Sequence, residues 1–307
     1  MTKYILKRLL LLIPVVIGIT LFIYVIISLA PGDPAELILG SDATPAEIAA
    51  KRQELGLNDP ILVRYLRYMG GVVRGDFGVS WYNNYNVTSE FLSRIPNTLL
   101  LGLLSNVFVI VLAIPLGVIA SVKQNSVVDY ATLVIAMLLS SMPFFWVGLM
   151  AQILFCLTLG WLPATGADSF ANFVLPALTL GCGSFAGLVR LTRTSMLEVN
   201  KLDFVRTARS KGCSESRVII RHVLRNGLLP VVTSIGGHIA TIVGGAIITE
   251  SVFAIPGVAS LMINAVKIRD VPVVMGVIVV ISIFVGVVNL LVDLTYAFID
   301  PRVKLKG

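Results

Sequence analysis

The residue types that carry most enzyme chemistry are scarce in this chain, which has two histidines and three cysteines among 307 residues. His222 and His238 are too few for a metal site, and no HExxH or GxSxG motif accompanies them. Cys156 and Cys182 lie in apolar stretches and Cys213 in a basic one, so no disulfide framework is indicated. A GxxxxGK(S/T) phosphate-binding loop is missing. The chain is therefore predicted to be no enzyme, to bind no cofactor or metal, and to depend on another subunit for any nucleotide.

The spacing that does indicate a specific interaction lies between Arg190 and Pro230. A helix is predicted over Leu197–Lys211, and Gly212 interrupts it. Ser214 is expected to cap a second helix that runs to about Arg225 and carries apolar i,i+4 pairs. A separate i,i+4 row is basic and consists of Arg217, Arg221 and Arg225. The pattern predicts a helix–glycine–helix element with an apolar stripe and a positive surface.

Three interpretations of this element remain open from the residues alone. It is a basic amphipathic element that lies on anionic lipid, a linker that gates a pore, or a knob that docks on a cytoplasmic protein. The internal break at Gly212 favours docking, because a helix lying on lipid has no need of a defined turn.

Six uncharged windows predict six membrane-spanning helices. The chain is 56% hydrophobic and 13% charged, whereas a soluble domain carries roughly 25% charged residues. About 20 apolar residues span the hydrocarbon core as a helix, and lipid offers any other backbone no hydrogen-bond partner. The windows are 9–32, 95–122, 130–167, 169–189, 226–249 and 271–292. The first is expected to be a retained anchor helix, because its apolar run is too long for a signal peptide.

The distribution of basic residues predicts the orientation of these spans. The N-terminus, the 122–130 loop, Arg190–Arg225 and the tail after Asp300 hold 16 of the 24 basic residues. The segment 31–96 holds six basic and eight acidic residues. Both termini are therefore expected in the cytoplasm and segment 31–96 outside, in a multi-pass protein of the cell membrane. The net charge of +7 then reflects topology, and a nucleic-acid partner is not indicated.

Segment 31–96 is expected to be folded rather than a plain loop. Thr44, Pro45 and Glu47 form the sequence pattern of a capped helix start, and Gly56 is suited to end that helix. A second helix is predicted from Pro60 to near Gly75. The segment is interpreted either as a docking surface for an external partner or as a helical cap over the first span.

Polar residues within the predicted spans are functional candidates, since such residues are costly in lipid. They are Asn106, Gln152, His238, Glu250, Asn289 and Asp293. For Glu250 and Asp293, which lie near span ends, interfacial anchoring or pairing with a basic group is the favoured role. No carboxylate relay of the kind used in proton coupling is visible. Proline and glycine recur in the second to fifth predicted spans, which suits a structure that moves.

Short motifs occur in a specific order along nearly the whole chain. They are Leu29-Ala30-Pro31-Gly32-Asp33-Pro34, Gly75-Asp76-Phe77-Gly78, Pro143-Phe144-Phe145-Trp146, Arg206-Thr207-Ala208-Arg209-Ser210-Lys211-Gly212, Arg221-His222-Val223-Leu224-Arg225-Asn226, Leu229-Pro230, Glu250-Ser251-Val252-Phe253, Pro256-Gly257, Arg269-Asp270 and Asp300-Pro301-Arg302. Together they resemble the permease subunits of ABC importers, and within them the dipeptide, oligopeptide and nickel subfamily. The general importer loop begins with Glu-Ala-Ala, where this chain has Arg206-Thr207-Ala208.

The resemblance implies an all-α membrane protein with the type I importer permease fold, six spans and both termini cytoplasmic. Its parts would be an N-terminal helix (1–30), an extracytoplasmic helical segment (31–96) and a permease domain of five helices (97–304) with a coupling loop (193–226). Implied partners are a second homologous permease subunit, two ATPase subunits that hold ATP and Mg²⁺, and an extracytoplasmic binding protein. The implied contacts to the ATPase are Arg206, Thr207, Ala208, Arg209, Lys211, Gly212, Ser214 and Arg221.

The resemblance further implies import of di- or oligopeptides, with nickel or another chelated metal and glutathione as alternatives. From the residues alone, a self-contained secondary transporter or channel and a non-transporting scaffold are the other functions considered. The missing carboxylate relay weighs against proton coupling, and the breaker-rich spans weigh against a scaffold.

Overall fold

A computed structural model describes residues 2–40 and 42–299, with side chains described except at 2–4, 239–245, 293 and 295–299. The motif Asp300-Pro301-Arg302 and the side chain of Asp293 therefore lie outside the described residues. The helices are α1 Thr2–Leu29, α2 Pro34–Leu39, α3 Pro45–Glu54, α4 Ile61–Val72, α5 Val87–Val122, α6 Val127–Ser141, α7 Phe144–Ala151, α8 Ala171–Asn200, α9 Asp203–Ser210, α10 Glu215–Arg217, α11 Arg225–Val252, α12 Val258–Lys267 and α13 Val271–Ile299. Two π-helical segments, Gln152–Thr158 and Val218–Leu224, follow α7 and α10.

The prediction of an all-α chain with about six spans is confirmed. Among the described residues, five helices are long and apolar enough to cross a membrane, and a bent pair makes a sixth. The pair consists of Val127–Ser141 and Phe144–Thr158, which meet at an angle of 98°. The bend follows from Pro143, because a residue before proline avoids the helical region and Met142 is extended with φ −82° and ψ 137°.

The chain divides into two compact units. Of the described residues, unit 1 contains 2–40, 42–98 and 256–290, and unit 2 contains 99–255 and 291–299. In unit 1, α12 and the start of α13 pack against the start of α5 around Val87, Phe91, Leu261, Val274 and Val277. A neighbouring cluster joins α1, α4 and α13 through Tyr24, Tyr65 and Met275.

Two expected helices lie between α1 and α5 in unit 1. Thr44 and Glu47 form the predicted capping box of α3, and Gly56 follows that helix with φ +66°. The second helix, α4, ends at Val72, and Gly75 follows with φ +81°. Tyr65 of α4 is buried, and its hydroxyl lies 2.9 Å from that of Thr20 in α1. The capping and termination signals of this segment were therefore readable from the sequence.

Unit 2 is organised around α8, which packs against α6, α7 and α11. Helix α5 also approaches α8 closely, because a Cβ at Gly117 would lie 2.8 Å from the carbonyl oxygen of Val189. A buried cluster that includes Val109, Phe185 and Val231 fills the space between these helices. Small residues thus allow close helix packing, which in lipid replaces much of the hydrophobic driving force.

The predicted helix over Leu197–Lys211 is interrupted, which corrects that expectation. Helix α8 ends at Asn200, and Leu202 is extended with φ −74° and ψ 149° before α9 begins at Asp203. The second predicted helix also continues past Arg225 through the π-helical segment into α11. The break sets α9 off from α8, so that α9 folds back to pack its buried residues Val205 and Ala208.

Candidate docking surface between α8 and α11

Residues 201–224, which we call the knob, connect α8 to α11 and form the predicted helix–glycine–helix element. Gly212 has φ +77° at the turn between α9 and α10, a conformation that glycine adopts without steric cost. The turn is closed by backbone hydrogen bonds, from Gly212 N–H to the Arg209 carbonyl at 2.9 Å and from Cys213 N–H to the Ala208 carbonyl at 3.3 Å. Ser214 has the extended backbone of an N-cap, but its side chain makes no capping hydrogen bond.

A small apolar core of its own holds the knob together. Met196 of α8 and Val205, Ala208, Val218 and Val223 of the knob are buried against one another. Val118 of α5 packs on the same cluster. Burial of several aliphatic side chains stabilises the turn in one orientation on the spans. The knob is therefore a packed element rather than a loose loop.

An ion pair closes the knob across the Gly212 turn. The Arg209 guanidinium donates to both carboxylate oxygens of Glu215, at 3.0 and 2.7 Å, and to the Asn200 side-chain oxygen at 2.7 Å. The hydrogen bond to Glu215 raises the pKa of Arg209 above its ordinary value. This two-point geometry fixes orientation better than a single contact. Arg209 was predicted as a contact to a partner, and the structure assigns it a bracing role within the knob.

A second, more buried ion pair joins α6 to α8, the helix that leads into the knob. Asp129 at the start of α6 is fully buried and accepts from Arg193 of α8 at 2.6 and 2.7 Å. Its carboxylate also accepts from the Asn125 backbone N–H at 2.9 Å. Near it, the buried Ser195 hydroxyl donates to the Gly227 carbonyl at 2.8 Å and joins α8 to α11. These contacts join α6 and α11 to α8, the helix that leads into the knob.

The other predicted contact residues of the knob divide into one buried residue and an exposed set. Ala208 is 7% exposed and belongs to the knob's core. The exposed residues are Arg206, Thr207, Lys211, Gly212, Ser214 and Arg221. Sequence reasoning missed Leu202 and Phe204, which are 48% and 42% exposed. An apolar pair flanking Asp203, between a span and a basic turn, was the signal that could have identified them. The knob thus presents apolar and basic side chains side by side, as protein interfaces do.

The polar residues predicted within the spans do not form one site. Asn106 donates to the Gly102 carbonyl at 3.0 Å within α5, and Gln152 donates to the Ala164 and Val252 carbonyls at 2.8 and 3.3 Å. His238 lies 3.3 Å from the Ser234 hydroxyl one turn away on α11. Glu250 is fully buried and Asn289 is exposed. Most of these contacts are to nearby backbone, which satisfies the polar group within the bundle.

Two family profiles cover nearly the whole chain. The profile described as "Binding-protein-dependent transport system inner membrane component" matches residues 113–305. The profile described as the N-terminal part of a binding-protein-dependent transport system membrane component matches residues 1–102.

Curated relatives are similar over their full length. The dipeptide transport system permease protein DppB of Alkalihalophilus pseudofirmus is 40% identical, over 99% of this chain and 100% of the relative. The oligopeptide transport system permease protein AppB of Bacillus subtilis is 38% identical over the same shares. The glutathione transport system permease protein GsiC of Escherichia coli K12 is 39% identical over 100% of both chains.

Solved structures share the fold at low sequence identity. The inward-facing MetNI methionine ABC transporter matches with a TM-score of 0.58 at 16% identity, over 69% of this chain and 96% of that one. An amino acid ABC transporter with histidines matches with a TM-score of 0.52 at 15% identity, over 68% and 94%. The fold is that of the type I importer permeases.

Proposed function

We infer the role of this chain in transport from its family, because it belongs to the binding-protein-dependent transport system inner membrane components. It is a multi-pass permease of the inner membrane, and its family works in ABC importers with other subunits. We propose that it forms half of the translocation pathway beside a second homologous permease subunit. Two ATPase subunits would hold and hydrolyse ATP with Mg²⁺, and an extracytoplasmic binding protein would deliver the solute. The chain itself would then catalyse no reaction.

The proposed cargo is a di- or oligopeptide. Support comes from the names of two full-length relatives, which transport dipeptides and oligopeptides. Glutathione is the second candidate because a relative of similar identity carries that name. Nickel or another chelated metal is the third. Uptake of labelled dipeptide, tetrapeptide, glutathione and nickel by cells that contain or lack this chain distinguishes them. Loss of nickel uptake alone would overturn the peptide assignment.

The knob is proposed to couple ATP hydrolysis to movement of the spans. The main observation in support is the Arg209–Glu215 ion pair, which closes the knob across the Gly212 turn. Coupling requires an element that transmits displacement between two proteins and makes different contacts in two states. The Arg209–Glu215 pair and the buried Val205–Val218 contact region hold the knob rigid. Its exposed Leu202, Phe204 and basic side chains offer a surface for the ATPase. The proposed contact residues are Arg206, Thr207, Lys211, Gly212, Ser214 and Arg221.

Gly212→Trp tests the coupling role directly. A Cβ at Gly212 has no atom within 4 Å, so a large side chain there projects outward and does not enter the knob's core. In the assembled transporter it would obstruct the ATPase surface. We expect ATP-dependent uptake to fall at least about tenfold, the equivalent of 1.4 kcal/mol in docking, while the chain still inserts in the membrane.

Two matched variants separate obstruction from backbone strain. Gly212→Asn places a small side chain at the same φ, and asparagine tolerates the left-handed region, so uptake should persist. Gly75→Trp imposes the same strain at φ +81° in unit 1, also with no atom within 4 Å, and should leave coupling intact. Normal uptake by Gly212→Trp, or equal losses in Gly212→Trp and Gly75→Trp, would exclude the coupling role of the knob.

A further inference from the structure

Unit 1 contains a cavity of about 240 Å³ that plays no part in the coupling proposed above. It lies where α1 ends and the segment of helices α2–α4 begins. Its polar and aromatic lining consists of Tyr24, Ser28, Asp33, Arg52, Arg64 and Trp81. The cavity therefore combines charged groups with aromatic rings at the end of a membrane-spanning helix.

Among the residues that line this cavity, Arg64 has a buried side-chain nitrogen without a hydrogen-bond partner. Its Nε–H is buried and donates to no acceptor within the described residues, 2–40 and 42–299. Its guanidinium carbon lies 5.9 Å from the centre of the Tyr24 ring, which holds the group over an aromatic face. A buried donor without an acceptor is destabilising, so its presence in a folded protein requires an explanation. Arg64 therefore brings to the cavity lining a cationic side chain that makes no ion pair within the described residues.

The charge balance of the cavity agrees with an anion. Its lining carries two guanidinium groups, of Arg52 and Arg64, against the single carboxylate of Asp33. Asp33 is already engaged, since it accepts from the Ala35 backbone N–H at 2.9 Å and lies 3.4 Å from Arg52. One positive charge in the lining is left without a counter-charge. A monoanion with several acceptor oxygens would complete the site.

The location of the cavity identifies the class of anion. Tyr24 and Ser28 belong to the last turns of α1, whose apolar side chains Phe22, Ile26 and Leu29 are 65%, 48% and 70% exposed. The cavity thus begins where the hydrocarbon-facing surface of a span ends, at the depth of lipid headgroups. Tyrosine, tryptophan and arginine are the residues typical of that depth.

We propose that this cavity binds the phosphate of a membrane phospholipid, with Arg64 as the main ligand and Arg52 as the second. The acyl chains would lie along the exposed apolar face of α1. The bound lipid would balance the surplus positive charge of the lining and would fix the segment α2–α4 on the first span. This inference does not depend on which side of the membrane the segment occupies.

Native mass spectrometry of the full chain, purified in mild detergent with the subunits that co-purify, tests the proposal. Delipidated protein is titrated with phosphatidylglycerol, with diacylglycerol, which lacks phosphate, and with sn-glycerol 3-phosphate, which lacks acyl chains. We expect one saturable phosphatidylglycerol site, with both other probes at least about tenfold weaker. Arg64→Gln should weaken phosphatidylglycerol about tenfold or more, since a hydrogen bond to a charged group is lost.

Two further variants test whether the effect of Arg64→Gln is specific to this residue and whether it reflects unfolding. Arg67→Gln removes a neighbouring arginine of α4 that is paired with Asp59 at 2.6 Å, and it should bind phosphatidylglycerol like the unchanged protein. Arg64→Lys keeps the charge without the Nε donor and should bind between the two extremes, which shows that Arg64→Gln did not act by unfolding.

Three results would overturn the assignment. Equal binding of diacylglycerol would mean that no phosphate is recognised, and equal binding of glycerol phosphate would identify a soluble phosphate as the ligand. If Arg64→Gln leaves phosphatidylglycerol binding unchanged but releases a soluble protein that co-purifies with the unchanged chain, an acidic protein surface is the occupant instead.

Discussion

Segment 31–96 of unit 1 and the knob of unit 2 are both polar helical insertions beside spans, yet they manage charge in opposite ways. Each holds six lysines and arginines, but the segment has eight acidic residues and the knob has two. Four of the segment's basic side chains make ion pairs, with Lys51–Glu54, Arg52–Asp33, Arg67–Asp59 and Arg94–Glu90 as the pairs.

The knob instead keeps much of its positive charge available. Its ion pairs within the described residues are Arg209–Glu215 and a longer Arg206–Asp203 contact at 3.8 Å. Lys201, Lys211, Arg217 and Arg221 make no ion pair within that part of the chain. A surface with unpaired positive charge attracts a partner of negative charge. A surface whose charges are paired internally attracts such a partner less strongly. This difference in charge pairing favours the knob as the surface that binds another protein.

The largest effect is expected from breaking the buried ion pair between α6 and α8, beside the knob. Asp129→Ala leaves Arg193 partly buried without its partner, and losing one member of a buried pair costs about 3–5 kcal/mol of unfolding free energy. Denaturant unfolding of the purified chain measures it. Asp203→Ala is the matched control, because its carboxylate is 98% exposed, and it should change stability by less than about 1 kcal/mol. Equal losses in both variants would contradict a special stabilising role of the buried Asp129–Arg193 pair.

Reversing the charge of exposed arginines should lower ATP-dependent uptake when the arginines lie on the knob but not when they lie on segment 31–96. Arg217 and Arg221 are exposed on the knob, and changing both to Glu should lower ATP-dependent uptake about tenfold or more, through weakened docking worth roughly 2 kcal/mol. Stability should change by less than about 0.5 kcal/mol. Arg67→Glu on the segment should leave uptake near normal. A loss of uptake from Arg67→Glu as large as that from the knob variant would remove the contrast.

A smaller effect is expected from the cap of α3 in the segment. Thr44 accepts from the Glu47 backbone N–H at 3.4 Å, and Thr44→Ala should cost about 1 kcal/mol. Faster hydrogen exchange in the first turn of α3, with unchanged exchange in α9, is the expected signature. Thr207→Ala provides the comparison, because Thr207 donates to the Asp203 carbonyl within α9 and caps no helix start. Exchange that accelerates in both helices would show that the change is not local.

The smallest effect concerns pH. Hydrogen bonds from Thr44 lower the pKa of Glu47 below its ordinary value of 4.5. A lowered pKa in the folded state means that the stabilisation is present above 4.5 and is lost as pH falls through the folded value. Protection of the first turn of α3 should therefore decline below about pH 4.5, and Glu47→Gln should abolish that pH dependence. A decline that persists in Glu47→Gln would assign it to another group.

Local signals were the predictable part of this fold. Thr44, Glu47 and Gly56 identified both ends of α3, because capping is decided within a few residues. The Gly212 turn was predicted for the same reason. The break before Asp203 was not, since no proline or glycine marks it and the packing of Val205 and Ala208 decides it.

Contacts distant in sequence were the unpredictable part of the candidate site. Asp129 and Arg193 are 64 residues apart, and charge patterning assigned both only to a cytoplasmic side. The pairing of Arg209 with Glu215 was not predicted either, and the contact of Arg209 with a partner stays a prediction. Leu202 and Phe204 were absent from the predicted contact residues, and the folded structure shows that both are exposed. Side-chain partners of this kind depend on where whole helices pack.

Composition alone predicted that this chain spans a membrane, because a run of about 20 uncharged, apolar residues is stable in lipid as a helix. Motif order then identified its family. Tertiary structure decided which charges are left over. The sequence already places eight acidic residues in the segment and two in the knob, and it contains local pairs such as Arg94–Glu90. Only tertiary structure brings Asp33 to Arg52 and Asp59 to Arg67, and leaves Lys211 and Arg221 of the knob without an acidic partner in the described part of the chain. Pairing is a property of distance in space, which a sequence of charges does not contain.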